Sequence, residues 1–139
     1  MIKRNEVFEN INAIMLRFGG EVYKIRPKNR GYTAGGNLVH VLIIGNQTMA
    51  TKGVTNSHGP KSFWDEMYME STNGGLELDP KEQALFVKDE SKDPKEKGYT
   101  FRGIYKIDVA RSTEFKTVSC RSATEVDETD PNWKIVRQN

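Results

Sequence analysis

Three stretches in the second half of the chain, Gln83 to Lys88, Tyr99 to Asp108 and Phe115 to Arg121, are rich in aromatic and aliphatic strand formers and are separated by turn-forming or charged segments. That arrangement admits little besides an antiparallel meander. The middle stretch carries Tyr99, Phe101, Ile104, Tyr105 and Ile107, and the glycine within it, Gly103, marks a bulge or a close approach of another backbone. The connection from Lys88 to Lys97 is densely charged and holds Pro94, so it reads as a solvated loop. Trp133 to Arg137 alternates once more and is expected to add an edge strand.

The first half has a different character. From Asn5 onward, Val7, Phe8, Ile11, Ile14, Met15 and Phe18 follow the i, i+3, i+4, i+7 rule of an amphipathic helix, with Asn5 as its N-cap and Gly19-Gly20 as its stop. Glu21 to Arg26 and Asn37 to Gly45 have strand compositions, the second apolar enough for a buried central position; Asn29 to Gly36 between them reads as a glycine-bearing loop. Pro60 opens a short helix with Phe63, Trp64, Met67 and Tyr68 at helical spacing, and Asn73-Gly74-Gly75 is a turn. No repeat or low-complexity linker divides the 139 residues. The expectation is one domain, 1–139, of α+β class: an N-terminal amphipathic helix packed on a mostly antiparallel, curved or barrel-like sheet.

Composition removes several function classes. A single cysteine, Cys120, excludes an internal disulfide, and no Cys/His cluster has zinc-ligand spacing. Within its alternating stretch Cys120 reads as a buried small hydrophobe. The longest apolar run, Leu38 to Ile44, is broken by His40 and is far too short to cross a bilayer. His40 itself reads as a hydrogen-bonded core residue, and His58 as a solvated loop histidine. The N-terminus lacks the pattern of a secretory signal, so a cytoplasmic location is expected. No P-loop, nucleophile elbow, zinc helix or Cys-His pairing occurs, and neither a cofactor nor a catalytic residue is expected.

Charge is the more informative property. The net charge is only +2, but residues 1–61 hold nine Lys/Arg against three Asp/Glu, and residues 62–139 hold twelve against sixteen, or +6 against −4. Lys24, Arg26, Lys28 and Arg30 occupy every second position, so in an extended chain they form one row of cations about 6–7 Å apart, which suits successive phosphates. The same row also suits a charged edge strand that resists sheet-to-sheet aggregation. Tyr32, in the glycine-bearing segment that follows, and Trp64, after the Asn56-Ser57-His58-Gly59-Pro60 turn, are the candidates for stacking on a base. Glu90-Ser91-Lys92 and Glu114-Phe115-Lys116, the latter with Asp108, provide only a thin basis for a metal-dependent nuclease, and no metal ligands are assigned.

Gln83-Ala84-Leu85-Phe86-Val87-Lys88, a charged gap, and then Gly98-Tyr99-Thr100-Phe101-Arg102-Gly103-Ile104-Tyr105 together resemble a pattern in the DNA-reading domains of modification-dependent restriction endonucleases, which belong to the SRA-like, PUA-like barrel group. Trp64 would be the counterpart of the tryptophan that precedes this pattern, and the resemblance covers residues 60–108. It implies a curved sheet that binds DNA and accepts a flipped base, with Trp64, Tyr99 and Phe101 as pocket or barrel residues. The resulting expectation is a non-catalytic nucleic-acid-binding module, for DNA in preference to RNA, using Lys24, Arg26, Lys28 and Arg30 with Tyr32 or Trp64. The alternative is a small interaction or inhibitor protein, of phage or mobile-element origin, that binds a protein partner through the acidic segments Glu82 to Glu96 or Glu125 to Asp130.

Overall fold

The computed structural model describes residues 1–18, 39–59, 64–80 and 82–129 with their side chains, and the backbone of Arg26–Lys28 and Gly31–Ala34. In chain order the elements are β1 (Ile2–Lys3), β2 (Val7–Phe8), α1 (Ile11–Arg17), β3 (Arg26–Lys28), β4 (Gly31–Ala34), β5 (Val39–Ile44), α2 (Gln47–Thr51), β6 (Val54–His58) and β7 (Glu66–Ser71). β8 (Gln83–Asp89), β9 (Tyr99–Ile107), a 3-10 turn at Val109–Arg111, β10 (Lys116–Ala123) and β11 (Glu125–Val126) follow. No helix of the described residues is long and apolar enough to cross a membrane.

The main sheet runs β3-β4-β5-β8-β9-β10-β7-β6, with β2 added against the first part of β9. Its ladders are antiparallel except β5–β8, which run parallel from Val39↔Ala84 to Ile44↔Asp89. The sheet is mixed with helix, as expected, but it does not close into a barrel: among the described residues β3 and β6 are its two ends. β6 only approaches β5, through the Asn56 Nδ2 bond to the Ile43 carbonyl at 3.4 Å. The predicted meander is present, β9 pairing with both β8 and β10.

Gly103 explains how β9 serves two partners on one edge. Residues 99 and 100 pair with β2, whereas Ile104 to Ile107 pair with β10, and Gly103 stands at the handover with φ +134°. A Cβ there would lie 2.5 Å from the Ala123 carbonyl oxygen, a contact only glycine avoids. The β8–β9 register shifts at the same place, between Leu85 and Phe86. Since one extra residue flips the faces that follow, Phe101 and Ile104 both join one core while Tyr105 turns to the other.

Two apolar cores result. On one face Phe86 meets Phe8 (5.4 Å), Phe18 (6.1 Å) and Phe101 (5.2 Å), with Ile14 and Met15 of α1, Val39 and Val41 around them. On the other face Leu42, Ile44, Met67, Met69, Leu85, Val87 and Tyr105 gather around Trp64 and Leu76.

Three expectations are corrected. The N-terminal helix does not run from Asn5: Asn5 is in a left-handed turn (φ +75°), Val7–Phe8 is a strand, and only Ile11–Arg17 is helical, capped by Asn10 whose Oδ1 accepts from the Ala13 N–H at 2.9 Å. The edge of β9 left open by β10 takes up residues 5–8 through Asn5 N–H to Phe101 O and Phe101 N–H to Glu6 O, both 2.9 Å, and this outweighs the helical period. Of the helix expected from Pro60, residues 60–63 lie outside the described residues, and from Glu66 the chain is β7 instead, whose inward residues Met67, Met69 and Ser71 obey a period of two. Gly31–Ala34 is a strand, β4, rather than loop. Of the strand expected at Glu21 to Arg26, residues 21–25 lie outside the described residues and Arg26 opens β3; the strand expected at Trp133 to Arg137 also lies outside them.

Candidate functional site

Of the basic row, Arg26 and Lys28 lie on β3, the end strand of the sheet; Lys24 and Arg30 fall outside the described residues. The ladders set Arg26 opposite Thr33, Thr33 opposite His40, and His40 beside Leu85. His40 and Leu85, directly paired, share a face of the sheet, and the backbone register row that starts at Arg26 ends at them. Tyr32 belongs to the alternate row, between Pro27 and Val41.

His40 and Leu85 line a cleft on the face of the sheet that carries Leu42 and Met67, with a volume of about 40 Å³ for the centres of water-sized occupants, room for a few waters. Its apolar walls are Leu42, Leu85, Met67, Met69, Leu76 and Tyr105. Polar groups converge from several strands: the His40 imidazole, the Gln83 amide, the Thr117 and Ser119 hydroxyls of β10, and the exposed Glu77 carboxylate. An apolar slot with a few polar groups from different strands is the usual form of a small-ligand site. The amide and the hydroxyls each offer both donor and acceptor, which matches the edge of a hydrogen-bonding heterocycle.

A second polar centre lies toward the other end of β8 and β9. Trp64 is 6% exposed, and its ring lies 3.8 Å from the Arg102 Cζ and 4.4 Å from the His58 ring. Its backbone is left-handed (φ +71°), which for a bulky side chain costs about 1–3 kcal/mol and must be held by its surroundings. The holding groups are visible: the Trp64 carbonyl accepts the Tyr105 hydroxyl and, at 3.4 Å, Arg121 Nη1. Burial pushes the Tyr105 hydroxyl up to about 12, so it stays a donor. Asn5, the other non-glycine residue with positive φ among those described, places its Oδ1 3.3 Å from Arg102 Nη1. Stacking of a base on Trp64 therefore requires Arg102 or His58 to move. Tyr99 and Phe101, the other two aromatics of the resemblance, are buried in the helix-side core.

A third cluster sits on the outer surface. Arg111 binds Glu66 and, at 2.8 Å, Asp108; its Nη2 is 3.2 Å from the Cys120 Sγ, and Tyr68 donates to Glu66 at 2.8 Å. The Arg111 and Tyr68 bonds hold the Glu66 carboxyl below its ordinary value, and the same bond raises the Tyr68 hydroxyl. Cys120 is thus a half-buried member of a polar cluster, not the core residue expected. Asp108 is engaged by Arg111, Lys116 pairs with Glu70 at 3.8 Å, and no group of three or more potential metal ligands occurs among the described residues.

The residues that sequence reasoning missed are Gln83, Thr117, Ser119 and above all Arg102. The one available signal was Arg102 itself, a charged side chain between Phe101 and Gly103 near the middle of a strand whose other charged residue, Lys106, lies near its far end. No known family model matches the chain, and no curated protein does.

Proposed function

We propose that this chain is a non-catalytic nucleic-acid-binding module in which the basic strand around Arg26 and Lys28 tracks phosphates and the cleft receives an unpaired base. The observation that carries this reading is the register row Arg26–Thr33–His40–Leu85, which joins the cationic end strand to the wall of the cleft. Phosphate contacts fix position, while the polar groups of the cleft, which widens to admit the base, supply preference. A curved sheet that accepts an extruded base is also what the resemblance to SRA-like, PUA-like domains implies, and DNA is the preferred ligand on that account. Tyr32 lies in the alternate register row and Trp64 is covered by Arg102, so His40, Gln83 and Ser119 are better placed to meet the base.

The protein-inhibitor reading draws less support. Glu90 and Glu96 of the acidic segment are engaged within the chain, by Lys88 at 3.6 Å and by Lys92 at 3.2 Å, leaving less of the segment's charge to a partner.

The test is fluorescence anisotropy against labelled single- and double-stranded DNA and RNA, plain and cytosine-modified, at low and physiological salt. Salt-sensitive binding is expected, with the slope of log affinity against log salt reduced by about 3 to 4 when Lys24, Arg26, Lys28 and Arg30 are all changed to Ala. Ser119→Trp, which fills the cleft, is expected to weaken binding while leaving that slope in place. Absence of binding at low salt, or binding indifferent to the four substitutions, refutes the proposal.

A further inference from the structure

Arg102 is a buried cation whose fork is half used. The residue is 8% exposed, one face of its guanidinium lies on Trp64, and Nη1 donates to Asn5 Oδ1 at 3.3 Å. The opposite edge, formed by Nε and Nη2, is different. Nε is buried and has no hydrogen-bond partner among the described residues, and the nearest carboxylate oxygen to Nη2, Glu96 Oε2, is 3.9 Å away, beyond hydrogen-bonding range. Buried guanidinium groups are ordinarily matched by a bidentate anion on just this edge.

Glu96 stays at that distance because it is held elsewhere. Its Oε1 accepts the Asp89 N–H at 2.8 Å and its Oε2 is 3.2 Å from Lys92 Nζ. Burial lowers the Arg102 guanidinium below its ordinary value, Glu96 offsets this in part, and Arg4 adds like-charge repulsion. The buried Asp89 carboxylate adds a further compensating charge through space, so what the cation lacks is a direct anion on its Nε/Nη2 edge, and two left-handed residues, Asn5 and Trp64, contact it.

We infer that the Nε/Nη2 edge of Arg102 is an oxyanion site that takes two oxygens of a phosphate group, and that Glu96 is the internal carboxylate such a ligand displaces. Lys92, half exposed and paired with Glu96, is then released to the same ligand. This site is separate from the cleft: Arg102, opposite the middle of β8, sends its guanidinium toward Glu96, which is held by Asp89 at the end of β8 away from Gln83, and none of these three residues lines the cleft. It does not depend on the nucleic-acid reading above.

Trp64, in contact with the guanidinium, is the reporter. In the full chain carrying Trp133→Phe, which leaves Trp64 as the one tryptophan, fluorescence is titrated with sodium phosphate and, at matched ionic strength, with sodium chloride. A saturable change with phosphate and none with chloride is expected. Glu96→Gln removes the competing charge and is expected to tighten phosphate binding about three- to tenfold, while Arg102→Lys, which keeps the charge but not the fork, weakens it about tenfold or more. Glu96 lies on a loop at 21% side-chain exposure, so its variant reports even if Arg102→Lys fails to fold. Oligonucleotides with and without a 5′-phosphate then identify the source: a response to both marks a backbone phosphate, to the first alone a terminal monoester, and to neither a free phosphate. No phosphate-specific response through the millimolar range in either the parent or Glu96→Gln, or equal affinity in the two, overturns the inference.

Discussion

Tyr105→Phe tests the packing around Trp64 through pH. The hydroxyl donates to the Trp64 carbonyl, which otherwise keeps only the 3.4 Å contact from Arg121. Removing it is expected to cost about 1–3 kcal/mol at neutral pH, the usual range when a buried acceptor loses its main donor. The alkaline limb gives a sharper number. Burial raises the Tyr105 hydroxyl from 10.0 to about 12, so between those values the unfolded chain loses this proton while the folded chain retains it. The folded state therefore binds more protons, and stability falls as pH rises from 10 to 12. Two pKa units correspond to about 2.7 kcal/mol in full, and about 1.4 kcal/mol of it is lost by pH 11. The variant lacks the proton and escapes this loss. Urea unfolding followed by circular dichroism at pH 8 and pH 11 should show the gap between parent and variant closing by about 1.4 kcal/mol, because all other titrating groups are common to both. A gap that stays the same at both pH values refutes the assigned burial and bonding of Tyr105.

Two further outcomes follow from other parts of the fold. Gly103→Ala forces a Cβ to within 2.5 Å of the Ala123 carbonyl at φ +134° and is expected to destabilise by about 2–4 kcal/mol in urea unfolding; a loss below about 1 kcal/mol means that the β2-to-β10 handover is not as described. Glu66, held below its ordinary 4.5 by Arg111 and Tyr68, contributes stability that is present above that pH and is lost as pH falls through the lowered value, so thermal unfolding of Glu66→Gln should show a shallower acid limb than the parent; identical limbs refute the cluster.

The sheet was legible where local pattern and long-range pairing agreed. β8, β9 and β10 carry their strand formers in sequence order and pair in that order, and Gly103 marked its bulge in advance. The N-terminal segment misled because Phe8, Ile11, Ile14, Met15 and Phe18 do lie on the core side, as a helical stripe would, while the backbone at residues 5–8 is extended. A periodic pattern reports which side chains are buried, and here two backbone conformations satisfy the same burial. Trp64 and Met67 failed similarly, a three-residue spacing being shared by a helix and by a turn leading into a strand. The cleft was hidden for another reason: His40, Gln83, Thr117 and Ser119 come from three strands, and their convergence depends on the parallel β5–β8 pairing, which no local pattern announces.

The small two-stranded pairing of β1 with β11 sets Ile2 opposite Val126, and Arg17 reaches Glu128 at 3.3 Å. These contacts close the core over α1 with the last described residues of the chain. At about 5–20 residues per second, translation separates Ile2 from Val126 by roughly 6–25 s, during which Phe8 and Phe18 gain Phe86 but Ile2 still lacks its β-partner Val126. The helix-side core is therefore completed late in synthesis: until Val126 emerges, β1 has no strand to pair with and the Ile2 side of that core stays open.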